Sequence, residues 1–380
     1  MVQNPIPMVD LASQYQKIKK EIDQAIQTVI DDTAFINGPH VKSFKSDLEK
    51  YLDVKHVIPC GNGTDALQIA MMALGLKHGD EVITANFTFV ATVEVIALLG
   101  LTPVLVDVLP DTYTMDIEAV KRAITPKTKA IVPVHLFGQV ADMDELMEIA
   151  EENNLFVIED TAQAIGADYT FKSGRVAKAG TIGHIGTTSF FPSKNLGCYG
   201  DGGAIFTNDD SLAEKLQSVV NHGMKVRYYH DNVGVNSRLD TIQAAILSVK
   251  LPYLDQYNKS RREVADYYDR AFSSCQLLKT PYRSPQSTHT FHQYTLVLDQ
   301  SVDRETLQSY LNEQGISSAV YYPVPLHLQK AYRDERYKEG DFPVTEHLCE
   351  NVISLPIHTE MNEEILKYIT DHVLNFLKSL

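Results

Sequence analysis

The sequence predicts an α/β protein with a large, mainly parallel-sheet domain and a smaller C-terminal α+β domain. Between Val57 and about Thr207, short apolar runs rich in β-branched residues alternate with helical stretches, the order expected of βαβ units. Beyond about residue 258 the strands become fewer and more separated. The 380 residues, 44% hydrophobic and 22% charged, suffice for one large core and a second domain.

SQYQKIKKEIDQAIQTVIDD places Tyr15, Ile18, Ile22, Ile26 and Val29 on one stripe at helical spacing, so the chain begins with a helix packed on something larger. Strands are predicted at HVIPC (56–60), DEVITA (80–85), PVLVDV (103–108), KAIVPVH (129–135), FVIED (156–160), TTSFF (187–191) and GAIFT (203–207). Helices are predicted at TDALQIAMMALGL (64–76), FVATVEVIALLG (89–100), IEAVKRAI (117–124) and MDELMEIAEENN (143–154). A long amphipathic stretch, 238–272, leads to strands at FHQYTLVLD (291–299) and SSAVYYPV (317–324) and helices at RETLQSYLNEQG (304–315) and EEILKYITDHVLNFL (363–377). The domain boundary is placed between Asn258 and Arg262, giving units 1–258 and 259–380.

Composition narrows the function. The best candidate for a membrane span, FVATVEVIALLGLTPVLV, is interrupted by Glu94 and Pro103, and MVQNPIPMVDLASQ lacks the order of a signal peptide, so a cytoplasmic protein is expected. Four scattered cysteines without a C-x-x-C pair indicate neither a disulfide framework nor a zinc knuckle. A net charge of −15 argues against nonspecific nucleic-acid binding, and any anionic ligand needs local positive charge. The stretch NHGMKVRYYHDNVGVNSRLD, with His222, Lys225, Arg227, His230 and Arg238, could supply it, or could be a solvated surface.

Gly61-Asn62-Gly63-Thr64-Asp65-Ala66 fits the dinucleotide fingerprint G-x-G-x-x-A, and Glu81 lies near the distance of a ribose-binding acid. A glycine-led helix N-terminus offers N–H groups to any phosphate, so the fingerprint leaves the ligand open. The densest cluster is TTSFFPSKNLGCYGDGGAIFTND, residues 187–209, where Lys194 sits between a strand and a run of glycines. It is either a loop lysine or a Schiff-base lysine whose desolvation supplies a neutral amine. Asp160 and Gln163 end the FVIED strand, where both could reach one ligand. Asp160 could cap a helix, or it could hold the pyridine nitrogen of pyridoxal phosphate protonated and keep the ring an electron sink.

Together these motifs resemble the DegT/DnrJ/EryC1/StrS sugar aminotransferases, of the aspartate-aminotransferase-like fold type I. The likeness runs from the opening helix through NGTDAL, PVHLFGQVADMDEL, EDTAQAIGA, SFFPSKNLGCYGDGG, VGVNSRLDTIQAAIL and YYPVPLH. The resemblance implies pyridoxal 5'-phosphate on Lys194, with Asp160 at the pyridine nitrogen and Gln163 at the phenolic oxygen. It implies Gly63, Thr64, Asp65 and Ser189 at the phosphate and Phe89 stacked on the ring. Asn236 would reach that phosphate from the neighbouring subunit, giving a homodimer with shared active sites. Within the family the chain is similar to enzymes that aminate a UDP-linked 2-acetamido-3-oxo-glucuronic acid, with Arg238 on the substrate. Those enzymes carry a histidine-tyrosine pair where this chain has Tyr321 and Tyr322. The implied activity is amination of a UDP-linked keto sugar with glutamate as donor, for surface glycans. Rival expectations are an NAD-dependent dehydrogenase, a sugar dehydratase of the same family and a noncatalytic regulator. The dehydratases replace the Schiff-base lysine with histidine, and this chain keeps lysine.

Overall fold

The computed structural model describes residues 5–380. Helix α1 (Leu11–Asp32) starts on Asp10, whose side chain accepts from Ser13 N–H, and buries Ile18, Ile22 and Val29 of the predicted stripe. Helix α2 (Pro39–Leu52) follows, and then the alternating region: β1 (His56–Cys60), α3 (Gly63–Leu74), β2 (Glu81–Ala85), α4 (Ala91–Leu98), β3 (Thr102–Val106), α5 (Ile117–Ala123), β4 (Thr128–Val132), α6 (Met143–Asn153) and β5 (Phe156–Asp160). A small hairpin, β6 (Asp168–Thr170) and β7 (Val176–Lys178), precedes β8 (Ile185–Ser189), β9 (Gly203–Thr207) and α7 (Asp210–Val219).

The seven predicted strands of this region form one sheet in the order β1-β9-β8-β5-β4-β2-β3. Strands β2, β3, β4, β5 and β8 pair in parallel, and β9 runs against both β8 and β1. Their fully buried residues read as continuous apolar runs because helices cover both faces. The TTSFF strand begins two residues earlier than predicted and stops at Ser189.

A second hairpin, β10 (Met224–Val226) and β11 (Tyr229–His230), leads to α8 (Thr241–Lys250). The long amphipathic stretch is two helices: Pro252 falls in a short 3-10 turn, and α9 (Leu254–Phe272) restarts after it. Helix α9 is continuous through Asn258–Arg262. Its Leu254 joins the core beneath β9, while Val264, Ala265, Tyr268 and Phe272 join a separate core. That second core is built on the antiparallel strands β12 (Leu278–Lys279), β13 (Tyr294–Leu298) and β14 (Val352–Leu355), with α10 (Arg304–Glu313) and α12 (Glu363–Lys378). Helix α11 (Pro343–Asn351) leads directly into β14. Ile6 belongs to this second core, exchanging backbone hydrogen bonds with Gly315 and Ser317, so the N-terminal segment reaches across to the C-terminal unit.

The predicted strand at 317–324 does not form. Only Ala319 makes a bridge, to Ser354, and the following Val320, Tyr321 and Tyr322 turn away to pack on the core of the large sheet. Residues with strong β-propensity took a tertiary contact instead of a ladder, and Pro323 and Pro325 bar further pairing.

Glu159 fixes the end of β5. It is fully buried, and each carboxylate oxygen meets two donors. Oε1 accepts from Ile182 N–H (2.7 Å) and Gly183 N–H (2.6 Å), while Oε2 accepts from Gly180 N–H (2.9 Å) and lies 2.9 Å from His135 Nε2. His135 Nδ1 accepts from Ala141 N–H, so its proton is on Nε2 and points at Glu159. Glu159→Gln must therefore set an NH2 group against two donors in either orientation. A loss of about 3 kcal/mol in urea unfolding of the cofactor-free protein is expected, and a change within about 0.5 kcal/mol would show that this network is dispensable.

Candidate active site

The carboxyl ends of the parallel strands open on a cavity of about 840 Å³. Five strands deliver residues to it: β1 leads to Asn62, Gly63, Thr64 and Asp65, β2 to Thr88 and Phe89, β4 to Val134, β5 to Asp160, and β8 to Ser189. This is the position where open α/β sheets hold ligands. Tyr321 and Tyr322 come to it from the displaced segment.

Helix α3 begins at the cavity wall. Asn62 caps it, its Oδ1 accepting from Asp65 N–H at 2.8 Å, which leaves the Gly63 and Thr64 amides without an acceptor among the described residues. Gly63 packs so near Ser189 that a Cβ there would sit 2.8 Å from the serine Cβ. Two free amides and a serine beside a helix N-terminus form a cradle for one phosphate. The Asp65 carboxylate accepts from Ser237 Oγ at 2.6 Å, tying the cradle to the 236–238 segment.

Asp160 is buried, and burial raises its pKa. Three groups oppose that: Ala162 N–H, which donates to Oδ1 at 3.0 Å, Lys194 and the Thr92 hydroxyl. Thr92 Oγ1 lies 3.4 Å from Oδ2. The loop after β8 brings Lys194 to the same cavity, where enclosure of the amine pushes its pKa down to about 8 against the pull of Asp160. A desolvated carboxylate and a desolvated amine thus share one cavity.

Gln163 has a fixed orientation. Its Oε1 accepts from Phe137 N–H at 2.6 Å, so its NH2 faces the Tyr322 hydroxyl at 3.2 Å. Phe137 holds a left-handed φ of 57°, and this hydrogen bond is one of the contacts that hold it there. Phe89 is 55% exposed with its ring 6.3 Å from that of Tyr322, whereas Phe87 two residues earlier is 1% exposed and serves the core. Asn236 is exposed, and neither it nor Arg238 lines the cavity of a single chain.

The sequence did not point to Asp201, His292 or Gln293, which also line the cavity, or to Lys250. Lys250 is buried on α8 with no carboxylate partner among the described residues, and its Nζ donates to the Gly197 carbonyl at 2.5 Å. It pins the loop three residues beyond Lys194. Its flanks, LSVKL, are the sequence signal that this lysine is not on a solvated face.

The free amides of α3, the buried carboxylate and the desolvated amine fit pyridoxal phosphate: phosphate, ring nitrogen and aldehyde each find a partner of the right chemistry. Fold and cavity thus define a pyridoxal-phosphate-dependent aminotransferase of fold type I. The chain belongs to the DegT/DnrJ/EryC1/StrS aminotransferase family, whose model matches residues 16–374. A pleiotropic regulatory protein of Geobacillus stearothermophilus is 47% identical, over 98% of this chain and 99% of its own. The UDP-2-acetamido-2-deoxy-3-oxo-D-glucuronate aminotransferase of Pseudomonas aeruginosa is 45% identical, over 97% and 100%. A dTDP-3-amino-3,4,6-trideoxy-alpha-D-glucose transaminase of Streptomyces venezuelae is 39% identical, over 93% and 91%. Among solved structures, S. venezuelae DesV superimposes with a TM-score of 0.94 at 37% identity, covering 100% of both chains. Ntda of Bacillus subtilis with bound cofactor PMP gives 0.88 at 32%, covering 98% of this chain and 83% of that one. No helix among the described residues is long and apolar enough to cross a membrane.

The lowered pKa of Lys194 has a direct consequence. In the cofactor-free protein, borohydride-coupled labelling by pyridoxal phosphate should fall on Lys194 and rise with a midpoint near pH 8, not at the ordinary lysine value of 10.5. Because the Asp160 charge raises that pKa, Asp160→Asn should move the midpoint lower still. Peptide mapping across a pH series checks both, and a midpoint at the ordinary value or label on another lysine would contradict the assignment.

Proposed function

We propose that this enzyme aminates a UDP-linked keto sugar with glutamate as amino donor, in the synthesis of a surface glycan, and that it works as a homodimer with shared sites. The observation that carries the reading is the desolvated Lys194 amine in one cavity with buried Asp160, walled by the N-terminus of α3. The activity named for the Pseudomonas relative supports the UDP-linked substrate.

Bound pyridoxal phosphate supplies an electron sink and a carrier for the amino group. In this reading the Gly63 and Thr64 amides, Ser189 and the partner's copy of Asn236 bind the phosphate. Asp160 holds a proton on the ring nitrogen, Gln163 directs its NH2 to the phenolic oxygen, and Phe89 covers the ring. Lys194 acts as general base and then acid, taking a proton from the donor's α-carbon and returning it elsewhere. The keto sugar then uses the same groups in reverse order, so the kinetics are ping-pong. Arg238 meets a sugar carboxylate with a planar fork, and Tyr321 and Tyr322 line the sugar's side of the cavity.

Charge supports the sharing. The cavity wall of one chain carries Asp65, Asp160 and Asp201 against Lys194, the one Lys or Arg that lines it among the described residues, which suits a diphosphate poorly. Around the basic segment, Val226, Tyr228, Tyr229 and Val233 are all exposed, an apolar patch that a second copy would cover. The name of the Geobacillus relative favours a second reading, a regulator that binds the cofactor without turnover. Amino transfer to a panel of keto sugar nucleotides, followed by mass spectrometry, separates the two.

Two further outcomes are expected. A Lys194→Ala chain mixed with an Arg238→Ala chain should regain activity after subunit exchange, because one site of the heterodimer then carries both defects and the other none. An inactive mixture, with heterodimers verified by mass spectrometry, would place both residues of a site on one chain. Arg238→Ala should also cost about 1.5–3 kcal/mol more in kcat/KM on a uronate substrate than on its neutral counterpart. Equal losses would leave Arg238 a positioning role.

A further inference from the structure

His292 lies two residues before β13, buried, with its ring on the cavity wall. Its protonation state is set by a relay of amides that ends on backbone carbonyls. Asn258 on α9 donates from Nδ2 to the Ile165 carbonyl at 3.1 Å, so its Oδ1 faces Asn195. Asn195 Nδ2 donates to that oxygen at 2.7 Å and to the Thr290 carbonyl at 3.0 Å. Both amide protons are then used, and Asn195 Oδ1 meets His292 Nδ1 at 3.3 Å. An acceptor in that place requires the proton on Nδ1. The lone pair of the neutral ring is therefore on Nε2.

Among the described residues Nε2 has no partner, and unlike the amide oxygen of Gln293 it is not sealed from the cavity. Burial and the positive charges of Lys194 and Arg261 hold the ring's pKa well below the ordinary value, so Nε2 stays an acceptor. A neutral lone pair offers nothing to a carboxylate, and glutamate's groups beyond its reacting amine are carboxylates. A sugar ring offers hydroxyl and amide N–H donors.

We propose that His292 Nε2 accepts a hydrogen bond from a hydroxyl or amide N–H of the sugar substrate and so acts in the sugar half-reaction alone, an inference that rests on the reading of the site as a sugar aminotransferase. The Lys194 amine is another donor in the same cavity, near enough for its charge to act on the ring. If His292 served Lys194, its loss would harm both half-reactions alike.

Two measurements decide. In the cofactor-free protein, nitrogen-15 histidine NMR, assigned by the signal missing from His292→Gln, should show a neutral ring protonated on Nδ1 between about pH 6 and 8. A protonated ring or the Nε2–H form overturns the proposal. In the holoenzyme, the cofactor's absorbance follows each half-reaction separately. His292→Phe should leave reaction with glutamate within about two-fold of the parent and cut kcat/KM for the UDP-linked keto sugar by about 5- to 100-fold. His292→Gln, which returns a carbonyl oxygen near the Nε2 position, should recover most of that loss and remains informative if the Phe variant does not fold. Equal losses in both half-reactions, or none in either, overturn the proposal. If the parent aminates no keto sugar nucleotide, the functional reading fails, while the NMR result still decides the state of His292.

Discussion

A carboxylate taken out of water has to be held by its surroundings, and around Asp160 that requirement organises the site. Burial disfavours its charge, and the Ala162 amide, Lys194 and Thr92 work against burial. None of these helps unless the end of β5 is fixed. Alternation along the strand sends Glu159 to the opposite face, where three backbone amides and His135 clamp it. His135 thus ties both residues, donating from Nε2 to the Glu159 carboxylate and from its backbone N–H to the Asp160 carbonyl. The charge that the chemistry uses rests on a neighbouring charge that the chemistry never touches.

The same economy holds the lysine. The loop after β8 carries Lys194 in a bend whose backbone is pinned from two directions. Cys198 N–H returns to the Phe190 carbonyl, and buried Lys250 reaches up from α8 to the Gly197 carbonyl. Gly197 itself admits no side chain, since a Cβ would lie 2.3 Å from the Pro192 carbonyl oxygen. A desolvated amine gains nothing from being neutral if it wanders, and this loop is tied at each end of the bend.

Legibility in the sequence followed the range of the interactions involved. The sheet strands, the α3 turn, Lys194 and the Asp160/Gln163 pair were readable because each is a local pattern of a few residues. The FTF pattern alone does not separate Phe89, exposed at the cavity, from Phe87, buried in the core. The 317–324 segment was misread because its β-propensity is local and its contacts are not. His292 and Lys250 stayed invisible for the same reason: their partners Asn195 and Gly197 are 97 and 53 residues away. Asn236 and Arg238 fall furthest from local reading, since in one chain neither lines the cavity.

That last point follows from the electrostatics of an acidic protein with a polyanionic ligand. With a net charge of −15 the chain repels a nucleotide sugar at long range, and at physiological salt that repulsion fades beyond about 8 Å. Attraction then has to come from donors at contact distance. The α3 amides supply it for one phosphate without a formal charge, which lets the cradle sit beside Asp65 and Asp160 without neutralising them. The proposed diphosphate-linked uronate would add charges that one chain's cavity, with Lys194 its one Lys or Arg among the described residues, does not meet. Cations placed permanently inside would pair with the very carboxylates the site needs free. Under the proposed shared site, Arg238 on the segment beyond β11 would come from a second copy, which would keep it apart from those carboxylates until the subunits meet.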